Sequence, residues 1–237
     1  MKKILITGGN GSIGKPIAIH LSKKNKVFIL DKVKKKNEKN IYNFQVDLSN
    51  FNSVKKILNK ITADKKQIDI VINCVGNINN FSFINLNEKM LIKNYLNFKK
   101  VIQDHLFTTY LINMLVINQN FINRKKCIII NFSSISSQGN PGQSAYSSAK
   151  GAINSLTKTM SKELGPLGFK TNCISPGFIK TQSTKKSLNN NYWEKVKDKI
   201  SLQKLGKEKD IIQTIDFIIK NDYLNGSIIK VDGGTII

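Results

Sequence analysis

Short apolar runs recur along the chain at Lys3–Ile6, Lys26–Asp31, Phe44–Val46, Ile68–Asn73, Cys127–Phe132, Thr171–Ile174 and Ser227–Val231. Within them apolar side chains follow one another instead of alternating with polar ones, so each run has to be covered on both faces. Between the runs apolar residues fall at helical spacing. Ile13–Leu21 is the first such stretch, with Pro16 in the opening turn that tolerates it. Strand-like runs buried on both faces and separated by helices imply an α/β fold, a doubly wound parallel sheet in three layers. No repeat and no Pro/Gly/Ser-rich linker divides the chain, so residues 1–237 read as a single domain. Lys32–Asn40 reads as a solvated loop, and the polar stretch Thr181–Asn191 as part of a substrate lid spanning about 178–205.

The charge of +23, from 38 basic against 15 acidic residues, raises the question of a polyanion partner. Arg124 is the only arginine, which leaves 37 lysines. Lysine is a solvated point charge, whereas sequence-reading contacts to nucleic acid favour the forked guanidinium. With 29 Asn and 36 Ile, these three residue types make up 102 of 237 positions. Lysine and asparagine painted over exposed positions account for the surplus, and no specific nucleic-acid partner is expected. Cys74, Cys127 and Cys173 lack CxxC spacing, and His20 and His105 have no neighbours at metal-ligand spacing, so no metal site and a reducing setting are expected. No run approaches the roughly 18 apolar residues of a membrane span, and the Met1–Gly9 start lacks a signal-peptide core. The cytoplasm is the expected location, without membrane attachment.

Two local patterns carry chemistry. Thr7-Gly8-Gly9-Asn10-Gly11-Ser12-Ile13-Gly14 joins the first strand to the first helix. Glycines there allow a sharp turn and let backbone amides approach a pyrophosphate at the positive end of the helix. Asp31, ending the second strand, can accept bonds from adenosine ribose hydroxyls and repels a 2′-phosphate, favouring NAD over NADP. Lysines 32, 34, 35 and 36 oppose that preference, so NADP stays open. Tyr146 and Lys150 stand one helical turn apart. A cation beside a phenol favours the phenolate, which predicts a lowered Tyr146 pKa and an acid/base role near neutral pH.

Taken together, the sequence resembles the short-chain dehydrogenase/reductases over essentially its whole length. The residues that carry the likeness are Thr7–Gly14, Asp47 after Val46, Asn73-Cys74-Val75-Gly76, Asn131-Phe132-Ser133-Ser134, Tyr146 with Lys150, Ser175–Thr181, and Val231-Asp232-Gly233-Gly234. Asn140-Pro141-Gly142-Gln143 and the Pro176-Gly177 turn point to the single-domain branch that contains 3-oxoacyl-(acyl-carrier-protein) reductases and bacterial sugar or alcohol dehydrogenases. Two departures stand out: the glycine spacing T-G-x-x-G-x-x-G is more usual in the extended branch, and Ser12 stands where the single-domain branch usually has glycine.

The resemblance implies a Rossmann-like fold and an NAD(P)-dependent enzyme that interconverts a carbonyl and a secondary alcohol. Tyr146 would exchange the proton, and Lys150 would hold the nicotinamide ribose and tune the tyrosine. A serine after the fifth strand would bond the substrate oxygen. The motif selects Ser134, whereas counting back from Tyr146 selects Ser133. His105 stands at the position of a relay asparagine, with a plain packing role equally open. Gly8, Asn10, Gly11, Ser12, Ile13 and Gly14 would cradle the pyrophosphate, Asp47 with Leu48 would meet the adenine, and Asn73, Val75 and Gly76 would line the ribose. Pro176, Gly177, Ile179 and Thr181 would hold the carboxamide end.

The substrate would be a small-molecule or acyl-carrier-bound carbonyl or alcohol. The likeness also implies a homodimer or homotetramer, built through the long helices flanking the fifth strand. The segment Asn77–Lys100, rich in Phe and Asn, borders the expected substrate entrance. A non-catalytic dinucleotide sensor or scaffold is the rival reading, and the intact Tyr146/Lys150 pair argues against it. A serine hydrolase is disfavoured because there is no Gly-x-Ser-x-Gly and neither histidine is placed as a triad base.

Overall fold

A computed structural model of the chain describes residues 1–63, 67–78, 80–181 and 190–236. Seven parallel strands form the central sheet: β1 (Lys3–Thr7), β2 (Lys26–Asp31), β3 (Ile41–Gln45), β4 (Ile70–Asn73), β5 (Ile128–Phe132), β6 (Lys170–Pro176) and β9 (Ile228–Val231). Their order is β3-β2-β1-β4-β5-β6-β9. The main helices are α1 (Gly14–Ser22), α2 (Phe51–Ile61), α3 (Glu88–Ile102), α4 (Thr108–Ile122), α5 (Ser144–Leu164), α6 (Asn190–Lys197) and α7 (Glu208–Lys220). The doubly wound α/β architecture stands as the apolar runs predict, with β2 found where expected and no other strand end shifted by more than three residues.

Strand alternation explains the two-sided core. Ile4 and Ile6 of β1 pack with Ile17, Ala18 and Leu21 of α1 and with Ile211, Ile215 and Ile218 of α7. Leu5, between them, turns to the opposite face and joins Val54, Leu58 and Ile61 of α2 and Ile112 and Val116 of α4. Both faces of the strand are thus desolvated, which is why its sequence is continuously apolar. Asn50 and Asn87 cap α2 and α3 by accepting backbone bonds from Ser53 and Met90.

Beside the main sheet, β7 (Ile179–Lys180) pairs in parallel with β8 (Gly206–Lys207). This two-stranded sheet, absent from the sequence reading, closes the base of the excursion in which the lid is expected. Residues 182–189 of that expected lid lie outside the described residues. Between α3 and α4, Gln103–Phe107 forms one π-helical turn. Such bulges re-aim side chains and cluster at functional sites.

Candidate functional site

Strand order reverses between β1 and β4, so their following loops diverge and open a crevice at the carboxyl end of the sheet. A cavity of about 990 Å³ lies there, lined among others by Gly8, Asn10, Gly11, Asp31, Asp47, Leu48, Val75 and Gly76. Gly8 has φ +65°, and a Cβ there would sit 3.0 Å from the Cys74 carbonyl oxygen. A Cβ on Gly14 would collide with the Gly8 carbonyl oxygen. The turn therefore requires glycine at both positions, by conformation at the first and by space at the second. Asp31 closes the cradle: its two carboxylate oxygens accept the Asn10 and Val33 amides, each at 3.0 Å. Asp47 accepts the Ser49 hydroxyl and amide, which hold its carboxyl below the usual range. Helix α1 begins without a side-chain cap, so its first turn presents amides to the loop.

The second half of the site is built from side chains. Tyr146 and Lys150 lie on the buried stripe of α5, 8% and 3% exposed. The Lys150 ammonium donates to the Phe132 carbonyl at 2.8 Å and lies 5.6 Å from the centre of the Tyr146 ring. Burial pulls its pKa down to about 8, with the neighbouring Cys173 and Cys74 acting in the opposite direction. Burial also pushes the Tyr146 phenol up, while a hydrogen bond with Ser134 pulls it down. The predicted lowering of Tyr146 by its lysine is therefore corrected: desolvation disfavours the phenolate more strongly than its neighbours favour it.

The two serines behave differently. Ser133 donates its hydroxyl to the Lys150 carbonyl at 3.0 Å and its amide to the Ile174 carbonyl at 2.8 Å, so it ties helix to sheet. Ser134 accepts the Ser136 amide at 3.2 Å and is the serine bonded to Tyr146. His105, on the π turn, is 1% exposed and meets the Tyr146 ring edge-on at 5.3 Å. Burial and the Lys150 charge depress its pKa to about 3, so the imidazole is neutral at ordinary pH.

The remaining residues divide. Asn73, expected along the ribose, turns inward instead. Its amide donates to Asn113 and Asn131 at 2.7 and 2.9 Å, and Asn131 donates to Thr157 at 3.0 Å. This buried network joins β4, β5, α4 and α5, and the polar Asn113 and Thr157 give no sign of it in sequence. Ile13 packs on the core under α1, and Ser12 is half-buried beside it. Pro176 ends β6 and Gly177, Ile179 and Thr181 come after it, none of them lining the cavity, and a Gly177 Cβ would lie 2.7 Å from the Asp232 Cα. Ile179 and Thr181 are buried. Sequence reasoning missed Lys56, Lys100, Gln103, Asp104 and Thr108, which also line the cavity; the last three are brought there by the π turn, which has no periodic signature. Among the described residues no cluster of metal-ligating side chains occurs, and no helix is long and apolar enough to cross a membrane.

The enoyl-(acyl carrier protein) reductase family model matches residues 10–235. A 3-oxoacyl-(acyl-carrier-protein) reductase of Buchnera aphidicola subsp. Baizongia pistaciae is 31% identical over 245 residues, covering 98% of this chain and 97% of that protein. A 4-hydroxyisoleucine dehydrogenase complexed with NADH superposes with a TM-score of 0.88 at 29% identity, over 99% of this chain and 98% of the other. ElxO with NADP bound gives 0.87 at 27% identity, over 98% of each chain. The chain belongs to the short-chain dehydrogenase/reductase family. It is an oxidoreductase of the kind that acts on a CH–OH group.

Proposed function

We propose that the protein reduces a ketone to a secondary alcohol with a nicotinamide dinucleotide, and that its substrate is a 3-oxoacyl thioester. The observation that carries this reading is the buried Ser134–Tyr146–Lys150 group beside the glycine cradle. A dinucleotide fits the cradle because glycine at 8 and 14 permits the tight strand-to-helix turn that brings backbone amides to the cavity, and Asp31 stands on the cavity wall. When bound, the nicotinamide supplies the hydride.

The rest of the chemistry belongs to this chain. Desolvation keeps Tyr146 as the neutral phenol, the form that can give a proton to the substrate oxygen as that oxygen becomes an alkoxide. Ser134 holds the same oxygen and fixes its distance. Lys150, charged below about pH 8, stabilises the tyrosinate left behind and binds the ribose hydroxyls. The residues from Pro176 to Thr181 hold the carboxamide end.

Asp31 favours NADH, so a clear preference for NADPH in paired fluorescence titrations would overturn that choice. The apolar segment Phe81–Phe98 suits an acyl chain: Phe81 packs on the Tyr146 cluster, and Phe83, Ile84 and Leu86 are exposed. Exposed Phe107, Tyr110, Phe121 and Ile122 on and beside α4 suit a homodimer or homotetramer contact. The three cysteines are unpaired, in keeping with a cytoplasmic protein. Reduction of 3-oxoacyl thioesters, sugars and simple ketones, each with NADH and NADPH, tests the proposal. Turnover of sugars or simple ketones without turnover of the thioester would overturn the substrate assignment.

A further inference from the structure

The imidazole of His105 touches two parts of the site at once. Its Nε2 lies 3.2 Å from the Asn77 amide nitrogen and 3.0 Å from the Asn77 carbonyl oxygen. One nitrogen serves one of these at a time, as acceptor or donor according to tautomer. In either case Nδ1 is left buried without a hydrogen-bond partner. An orphaned buried polar atom is costly, so holding the ring there requires compensation. On its other side the ring stands edge-on to Tyr146, at 87°. Gly76 completes the fit: a Cβ there would lie 2.5 Å from the imidazole Cε1. Val75, Gly76 and Asn77 all line the adenosine-side cavity.

We propose that His105 is a positioning residue that clamps the loop after β4 to the ring of Tyr146, so that seating the dinucleotide against Gly76 and Asn77 also sets the proton donor. This inference rests on the reductase reading above. The clamp needs three features together: the π turn that pushes His105 inward, the missing side chain at Gly76, and the Asn77 peptide as anchor. A dinucleotide-binding loop and a proton donor held by separate elements would each tolerate change independently. Linked through one rigid ring, they do not.

Two substitutions separate the two contacts. His105→Phe keeps a ring against Tyr146 and removes the bond to Asn77, while His105→Ala removes both. Dinucleotide Kd, measured by NADH and NADPH fluorescence, is expected to rise about 3–10-fold in each, the loss of one net hydrogen bond. At saturating dinucleotide, kcat is expected to fall further in His105→Ala than in His105→Phe. Gly76→Ala supplies a second test, because its added methyl collides with His105. Gly76→Ala should bind dinucleotide poorly, and Gly76→Ala/His105→Ala should bind better than Gly76→Ala alone, a suppression that independent sites do not give. Unchanged Kd in both His105 variants, equal kcat in the two, or no suppression in the double variant would overturn the clamp. Absence of dinucleotide binding or reduction in the unmodified protein would instead defeat the reductase reading.

Discussion

The two halves of the crevice are built by opposite means. Along β1 and β4 the wall is backbone: Gly8, Gly14 and Gly76 act by what they lack, and Asp31 is engaged by two amides. Along β5 and α5 it is side chain: Ser134 stands with Tyr146 and Lys150, and desolvation shifts the titration of the latter two. The first half constrains sequence through space and torsion, so almost any added atom damages it. The second constrains it through charge, so its shape can be kept while its titrating groups are removed.

That contrast can be broken or sharpened experimentally. Tyr146→Phe preserves shape and removes the proton, so kcat should fall about 10³-fold, a general-acid effect, while dinucleotide Kd in a fluorescence titration hardly moves. Retained turnover would assign the proton to another group. Next in size is the serine pair. Ser134→Ala should lower kcat about 10²-fold, the scale of one lost donor at a reacting oxygen. Ser133→Ala should instead lower unfolding free energy by about 1 kcal/mol in urea titrations, because it unties the Lys150 carbonyl. Exchanged phenotypes would reverse their roles.

On the backbone side, Gly14→Ala should weaken dinucleotide binding about 30-fold, from roughly 2 kcal/mol of overpacking, with kcat at saturation less affected. The smallest effect concerns stability. His105 is neutral when folded, with a pKa near 3 against 6.5 in the free side chain. Between those values the unfolded chain binds the extra proton, so stability falls as pH falls. From pH 7 to 5.5 its share of the loss is about 1 kcal/mol. His105→Phe should remove that increment from the pH dependence of the urea midpoint; an identical dependence would mean that the histidine charges in the folded state.

Much of the crevice is legible in sequence because it is local. A strand, a glycine turn and a helix are consecutive, and Tyr146 and Lys150 share one turn of one helix. What is not legible depends on distant neighbours. The inward turn of Asn73 follows from Asn113 and Asn131, which lie 40 and 58 residues away. The raised phenol of Tyr146 follows from burial, which four-residue spacing leaves undetermined. The π turn at Gln103–Phe107 interrupts a helical pattern without interrupting its composition, so neither His105's orientation nor the lining by Gln103, Asp104 and Thr108 could be read beforehand. The β7–β8 pair escapes notice because two-residue strands carry no period.

The depth of Lys150 has a consequence for the chemistry of amines. In a chain with 37 lysines, this one reaches half-deprotonation at about pH 8, yet it is almost wholly buried between α5 and β5. An acylating reagent applied in trace amounts will mark exposed lysines at once and Lys150 only when the helix lifts away from β5. The rate of that single labelling event is a clock for opening of the crevice, and it will slow as the crevice is filled.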